Sequence, residues 1–188
     1  MSPYKLLATP LFALALIGCI RKVEIIASTN TTYVADPSCA VIIKAQKRML
    51  LQLGTRGYDA LPDSSGEMNT EKLSSVLTSD AYYYKTDWGW KKIDRDVWAA
   101  HGAAEIEKRR YSGCKAVSEE AVNGTPTIRY ELHYEMSEGD RRYLNRRGLD
   151  IRDPIGYMWI GADGLMYKML MPHIVMGRFE YGKFEAPK

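Results

Sequence analysis

The stretch KAVSEEAVNGTPTIRYELHYEM, residues 115–136, decides the fold, because two strand-like runs flank the pair Asn123-Gly124. An Asn-Gly pair favours a two-residue β-hairpin turn, since both central positions of that turn need a positive φ. In the second arm, apolar or aromatic residues alternate with charged ones, which predicts one covered face and one solvated face. The apolar or aromatic set is Ile128, Tyr130, Leu132, Tyr134 and Met136. The charged set is Arg129, Glu131, His133 and Glu135.

Further strands are predicted on both sides of this hairpin. GYMWIGADGLMYKMLM, residues 156–171, repeats the device around Asp163-Gly164. RRYLNRRGLDIR, residues 141–152, predicts a solvated strand before it, whose arginines are balanced by nearby acidic residues. Upstream, DAYYYK, residues 80–85, predicts a short strand because consecutive tyrosines favour the extended state.

The helices are predicted mainly before these hairpins. Asp36 is placed to cap the first helix, Pro37 occupies its first position, and Gly54 is placed to end it. Apolar residues between them recur with the spacing of one helical face. A loop over residues 55–67, a short helix over 70–77 and a third helix over 103–111 follow. Helices first and long antiparallel strands afterwards predict an α+β architecture.

The amino-terminal segment MSPYKLLATPLFALALIGC predicts export. Its apolar run, residues 6–18, is too short to span a bilayer as a helix, so residues 1–18 are interpreted as an export signal. The end of this run, Leu16-Ile17-Gly18-Cys19, resembles the bacterial lipobox, which implies acyl chains on Cys19 that attach the protein to a membrane. The alternative is an ordinary secretory signal and a free mature chain. Residues 19–35 are predicted to form a tether. Residues 36–188 are predicted to form one domain with a short carboxy-terminal tail.

Export also bears on the remaining cysteines. Once Cys19 carries lipid, Cys39 and Cys114 form an even pair, so a disulfide between them is one prediction and two buried thiols are the other. Asn30 and Asn123 begin glycosylation triplets. They keep open a third interpretation, a secreted eukaryotic protein with a disulfide and glycans.

Charge and motif content exclude several classes of function. The net charge is only +3 and the basic residues are dispersed, so no nucleic-acid partner is predicted. His101, His133 and His173 are far apart in sequence, which predicts no metal centre. No dinucleotide, phosphate-loop or G-x-S-x-G pattern occurs, so no cofactor is predicted.

The crowded stretch DWGWKKIDRDVWAAHG, residues 87–102, offers two candidate sites. Its tryptophans and two nearby tyrosines present large flat surfaces, which suit either a pocket for a hydrophobic ligand or the packing of a core. Asp87 and His101 are the one plausible acid/base pair. In the alternative interpretation, Asp87 only turns the chain and His101 caps or precedes the third helix. The aromatic set is Tyr82, Tyr84, Trp88, Trp90 and Trp98.

The predicted order of elements resembles the nuclear transport factor 2-like superfamily, in particular its SnoaL-like branch. Three motifs carry the resemblance over roughly residues 36–171: Asp80-Ala81, Gly102 with Ile106, and Asp163-Gly164-Leu165. The resemblance implies a cone-shaped, curved antiparallel sheet wrapped around a long amino-terminal helix. It also implies a pocket at the open end and often a homodimer that packs sheet against sheet.

The family contains isomerases, dehydratases, cyclases and hydrolases as well as domains that catalyse nothing, so the fold does not decide function. The general-base position of its ketosteroid isomerase branch corresponds to Lys85, and a lysine acts as a base near neutral pH only when burial lowers its pKa strongly. We therefore predict a lipid-anchored, non-catalytic ligand-binding or assembly module of the cell envelope. The alternative is an isomerase, dehydratase or hydrolase that uses Asp87 and His101 on a small hydrophobic substrate.

Overall fold

The computed structural model describes residues 36–60, 70–135, 142, 154–171 and 175–188. The predicted export signal, the tether and Cys19 lie outside these ranges, as does the strand predicted over residues 141–152 apart from Arg142. Within the described ranges, none of the helices has both the length and the apolar character needed to cross a membrane.

The first helix forms where the sequence predicts it. A short 3-10 turn, Pro37–Cys39, leads into helix α1, Ala40–Leu51. Asp36 caps the turn, because its carboxylate accepts the backbone N–H of Ser38 at 2.9 Å. Helix α1 has 12 residues and ends at Leu51, not at Gly54.

The later helix, α2, spans Arg95–Lys108 and starts earlier than predicted. Asp94 sets its beginning, since its carboxylate accepts the backbone N–H groups of Asp96 and Val97. An aspartate in this role satisfies amide donors that the first turn of a helix leaves without partners. The predicted start at residue 103 is therefore wrong.

The described residues form one nine-stranded antiparallel sheet in the spatial order β4-β3-β2-β1-β9-β8-β7-β6-β5. The strands are β1 Thr55–Ala60, β2 Lys72–Leu77, β3 Ala81–Thr86, β4 Gly89–Asp94, β5 Arg110–Val122, β6 Thr125–Glu135, β7 Ile155–Gly161, β8 Met166–Met171 and β9 Val175–Tyr181. The predicted α+β class with a large antiparallel sheet is confirmed.

Both predicted hairpins are present. Asn123 and Gly124 have φ values of 51° and 79°, and they join β5 to β6 with Val122 opposite Thr125. Gly164, with a φ of 74°, turns β7 into β8. These positive φ values are the ones that the Asn-Gly and Asp-Gly pairs predict, because such residues adopt left-handed backbone at low cost.

Four local predictions are wrong. Residues 55–60, predicted as a loop, form β1, and the helix predicted over residues 70–77 is strand β2. Residues 89–94 form β4 in place of a connection, and the predicted tail contains β9, Val175–Tyr181. The cause is long-range pairing, since β1 lies between β2 and β9 and takes its register from both.

These corrections change the order of elements. Two strands precede Asp80-Ala81, so the strand that begins there is the third and not the first. Strand β9 lies beyond residue 171 and pairs with both β1 and β8, in the middle of the sheet. The observed order thus differs from the one on which the nuclear transport factor 2-like resemblance rests.

Helix α1 packs against the part of the sheet formed by β5 to β8. Its buried Ile42 and Ala45 belong to one apolar cluster with Leu132 of β6 and Met158 of β7. Packing of this helical face against the sheet removes apolar surface from water, which is the main source of stability for such a layer. Ala45 also lines an open cleft on the side of the two hairpin turns.

Candidate functional site

A cleft of about 600 Å³ lies between α1 and the ends of β5, β6 and β7, beside the Asn123-Gly124 and Asp163-Gly164 turns. Aliphatic and aromatic side chains form much of its wall. They are Val41, Ala45, Pro126, Ile128, Tyr130 and Ile160. The volume lies within the range of clefts that hold small organic ligands. Ile128 is 38% exposed because it borders this cleft, whereas the other described residues of the face of β6 that was predicted to be covered are buried or half-buried.

Two basic side chains border the cleft from the helix side. Lys44 and Arg48 lie one helical turn apart on α1 and are both exposed. Among the described residues, neither of them has an ion-pair partner. Both can therefore bind the polar end of a ligand without giving up an existing ion pair.

The strand side of the cleft carries acidic side chains, of which two are already engaged. The carboxylate of Asp163 accepts the backbone N–H of Leu165 at 2.9 Å and the hydroxyl of Tyr167 at 2.8 Å. The carboxylate of Glu120 accepts the indole N–H of Trp159 at 2.9 Å, which is the main reason that its pKa lies below the ordinary value. These contacts build the wall itself.

The beginning of α1 is tied to strand β5 by three contacts. Cys39 and Cys114 form a disulfide bond with a Cα–Cα distance of 5.0 Å. The carboxylate of Asp36 accepts the backbone N–H of Gly113 at 2.8 Å, and the hydroxyl of Ser38 accepts that of Cys114 at 3.1 Å. The hydrogen bond from Gly113, followed by those from Ser38, lowers the pKa of Asp36. The two walls of the cleft are thereby linked at one end.

The predicted aromatic site is divided in the structure. Tyr82 stacks on Trp98 with 4.6 Å between ring centroids, and Tyr84 lies 6.3 Å from Tyr82. The cavity beside the Tyr82–Trp98 stack measures about 70 Å³, room for roughly two water molecules. Burial, as the largest cause, raises the pKa of Tyr82. These three side chains are half-buried and stacked, beside a cavity that has no room for a drug-sized ligand.

Trp90 and Trp88 lie elsewhere. Trp90 pairs across the hairpin with Lys85, so its side chain lies on the opposite face of the sheet from Tyr82. The Lys85 ammonium is 5.1 Å from the centre of the Trp90 ring. Trp88 is 70% exposed at the β3–β4 turn. Strand alternation therefore separates side chains that the crowded sequence placed together.

Both residues of the predicted acid/base pair are exposed to solvent. Asp87 lies in the β3–β4 turn and His101 on α2, and neither lines the cleft or the small cavity beside the Tyr82–Trp98 stack. His133, predicted to be solvated, is also exposed. Among the described residues, no group of three or more His, Cys, Asp or Glu side chains is placed to hold a metal ion.

The cleft was not predicted from the sequence, although one feature of the sequence indicates it. In an antiparallel meander the β5–β6 and β7–β8 turns come to the same end of the sheet. The positions of Asn123-Gly124 and Asp163-Gly164 were predicted, so their proximity followed from the topology. The contribution of Lys44 and Arg48 did not, because it depends on how α1 lies across the sheet.

A solved structure aligns with most of the chain at low sequence identity. No protein-family model matches the chain, and no curated protein matches it. Among solved structures, the crystal structure of LprF from Mycobacterium bovis aligns with a TM-score of 0.41 and 8% identity. The alignment covers 76% of this chain and 91% of that one.

Proposed function

We propose that the protein is an exported, lipid-anchored, non-catalytic module of the cell envelope that binds a small ligand with a hydrophobic body. The ligand lies in the cleft between α1 and β5–β7. One observation carries the proposal: a cleft of about 600 Å³ combines apolar walls with two cations that have no ion-pair partner in the described part of the chain. Apolar walls with a few polar groups that orient the ligand are typical of small-molecule sites.

The chemistry at the cleft favours binding over catalysis. The carboxylate of Glu120 accepts a hydrogen bond from Trp159 of β7, and that of Asp163 accepts bonds from its own turn and from β8, which hold both as structural acceptors. Lys44 and Arg48 are exposed cations suited to bind an anionic or polar group. We therefore assign the cleft to recognition, with the apolar wall in contact with the body of the ligand.

The disulfide supports the proposed compartment. A bond between Cys39 and Cys114 is stable in an oxidising environment such as that outside the cytoplasm. Export and the lipid on Cys19 remain proposals from the sequence, since residues 1–35 lie outside the described ranges. Replacing Cys19 by Ser is expected to move the protein from the detergent phase to the aqueous phase in a phase-partition experiment. Unchanged partition would contradict the anchor.

The cleft is tested with the amphipathic fluorescent anion 1-anilinonaphthalene-8-sulfonate and two matched substitutions on β5. Ala121 is exposed and lines the cleft, whereas Ala116 is exposed on the same strand outside it. Ala121→Trp fills the cleft and is expected to weaken probe binding at least about tenfold, with Ala116→Trp unchanged. Equal binding by the two variants would overturn the assignment of the site.

The cations are tested separately. Lys44→Glu reverses one charge at the cleft and is expected to weaken binding of the anionic probe about fivefold or more. Lys91→Glu makes the same change on β4, outside the cleft, and serves as the control. If both variants bind the probe as the unmodified protein does, Lys44 takes no part in recognition.

A further inference from the structure

The tip of the β3–β4 hairpin presents an unusual side chain to solvent. Trp88 is 70% exposed, whereas Trp159 is 5% exposed. A tryptophan carries a large apolar surface together with one N–H donor, a combination suited to the boundary between an apolar phase and water. Strand β4 is one of the two edge strands of the described sheet, so the tip lies at an edge of that sheet.

The turn that holds Trp88 is internally bonded. The Thr86 hydroxyl donates to the carbonyl oxygen of Gly89 at 2.8 Å and accepts the backbone N–H of Trp88 at 3.3 Å. These bonds fix the backbone of the turn on both sides of Trp88. The exposure of its side chain is therefore set by an ordered turn.

Basic and aromatic side chains surround this tip. Lys85 lies over the Trp90 ring, and Lys92 lies 5.8 Å from the centre of the Tyr83 ring on the same face of the hairpin. Lysines that extend along apolar surface, next to tryptophan and tyrosine, are typical of segments at a membrane–water interface.

The charges near the tip favour an anionic surface. Lys85 and Lys91 have no ion-pair partner among the described residues, and Lys92 pairs with Asp80 at 3.2 Å. Asp87 is the one acidic residue between Lys85 and Lys91. Cations close to an anionic bilayer gain attraction that strengthens binding by about fivefold for each Lys.

We propose that the β3–β4 hairpin docks on an anionic lipid bilayer, with Trp88 at the level of the headgroups and Lys85 and Lys91 in contact with them. The proposal concerns a surface separate from the ligand cleft, and it does not require the lipid on Cys19. An anchored chain would have this second contact with the membrane surface, which would orient the domain.

The test measures quenching of tryptophan fluorescence by lipids brominated on their acyl chains. The full chain is used with Cys19→Ser in every variant, so that no acyl group on the protein takes part. All four tryptophans lie in the domain and none in residues 1–35, so contact of the amino-terminal segment with lipid adds no signal. Vesicles contain either phosphatidylglycerol and phosphatidylcholine or phosphatidylcholine alone.

We expect quenching on the anionic vesicles that is lost in Trp88→Phe, and a vesicle affinity reduced by more than tenfold in Lys85→Gln/Lys91→Gln. Lys183→Gln/Lys188→Gln removes the same charge from the carboxy-terminal segment and is expected to leave quenching unchanged. Equal quenching in Trp88→Phe and the parent chain would overturn the proposal, as would equal binding to both kinds of vesicle. Neither result bears on probe binding at the cleft, so the two proposals fail independently.

Discussion

Cys39, at the entrance to helix α1, is bonded to Cys114 of strand β5, which lies 75 residues further along the chain. The bond closes a long loop and joins the first helix to the strand at one edge of the sheet. Chain-entropy arguments give a loop of this size a stabilisation of about 4 kcal/mol.

Replacing both Cys39 and Cys114 by Ala is therefore expected to lower the free energy of unfolding by about 4 kcal/mol. Urea unfolding measures the change. Reductant is expected to destabilise the unmodified protein to a similar degree and to leave the double variant unaffected. A double variant as stable as the oxidised protein would show that the bond contributes nothing.

Gln46 and Tyr111 form a polar contact inside the core. The side-chain amide of Gln46 donates to the Tyr111 hydroxyl at 2.9 Å, and the buried Gln46 carbonyl oxygen has no hydrogen-bond partner among the described residues. Tyr111→Phe removes an acceptor from a buried amide, which is expected to cost about 1–3 kcal/mol. Adding Gln46→Met is expected to recover part of that loss, since it removes the amide as well. Strictly additive costs in a double-mutant cycle would contradict a direct coupling.

Gly54 is a position where the backbone leaves no room for a side chain. Its φ is 69°, and a Cβ there would lie 1.5 Å from the carbonyl oxygen of Gly182. Gly54→Ala is expected to destabilise the fold by at least about 3 kcal/mol, since the clash is with backbone. Gly124→Ala has a similar φ of 79° and open space around it, so about 1 kcal/mol is expected. Thermal unfolding compares them, and equal shifts would mean that the contact with Gly182 is unimportant.

Acid is expected to release the contact between Asp36 and Gly113. The hydrogen bond from Gly113 holds the pKa of Asp36 below its ordinary value of 3.8. The contribution of this bond is therefore complete above that value, and it is lost as pH falls through the lower pKa of the folded state. Hydrogen exchange at the Gly113 amide, corrected for intrinsic rates, is expected to show less protection at low pH. Asp36→Asn is expected to reduce that protection at neutral pH.

The sequence predicts the parts of the fold that local chemistry specifies. Asp36 and Pro37 mark the start of the first helix, and Asn123-Gly124 marks a turn whose conformation few other pairs adopt. Strands β1 and β9 carry no comparable signal. Gly57 faces Ser75 on one side and Phe179 on the other, so its strand forms through partners from distant segments. Local propensity cannot indicate pairing of this kind.

The structure separates the predicted aromatic side chains for a related reason. Closeness in sequence suggested that Tyr82 and Trp90 share a pocket, but the pairing of β3 with β4 puts them on opposite faces. The cleft instead collects Val41 and Arg48 from a helix and Ile160 from a strand more than a hundred residues away. Only the way α1 crosses the sheet brings these residues together.

The central place of β9 has a consequence for the order of folding. Until residues 175–181 have been synthesised, β1 and β8 each lack one of their two neighbouring strands. The described sheet then consists of two separate halves, β1–β4 and β5–β8. Pairing between segments so far apart in sequence is slow, because a long loop must close before any contact forms. In a nascent chain, the two halves of the described sheet would therefore stay unjoined until β9 has been synthesised.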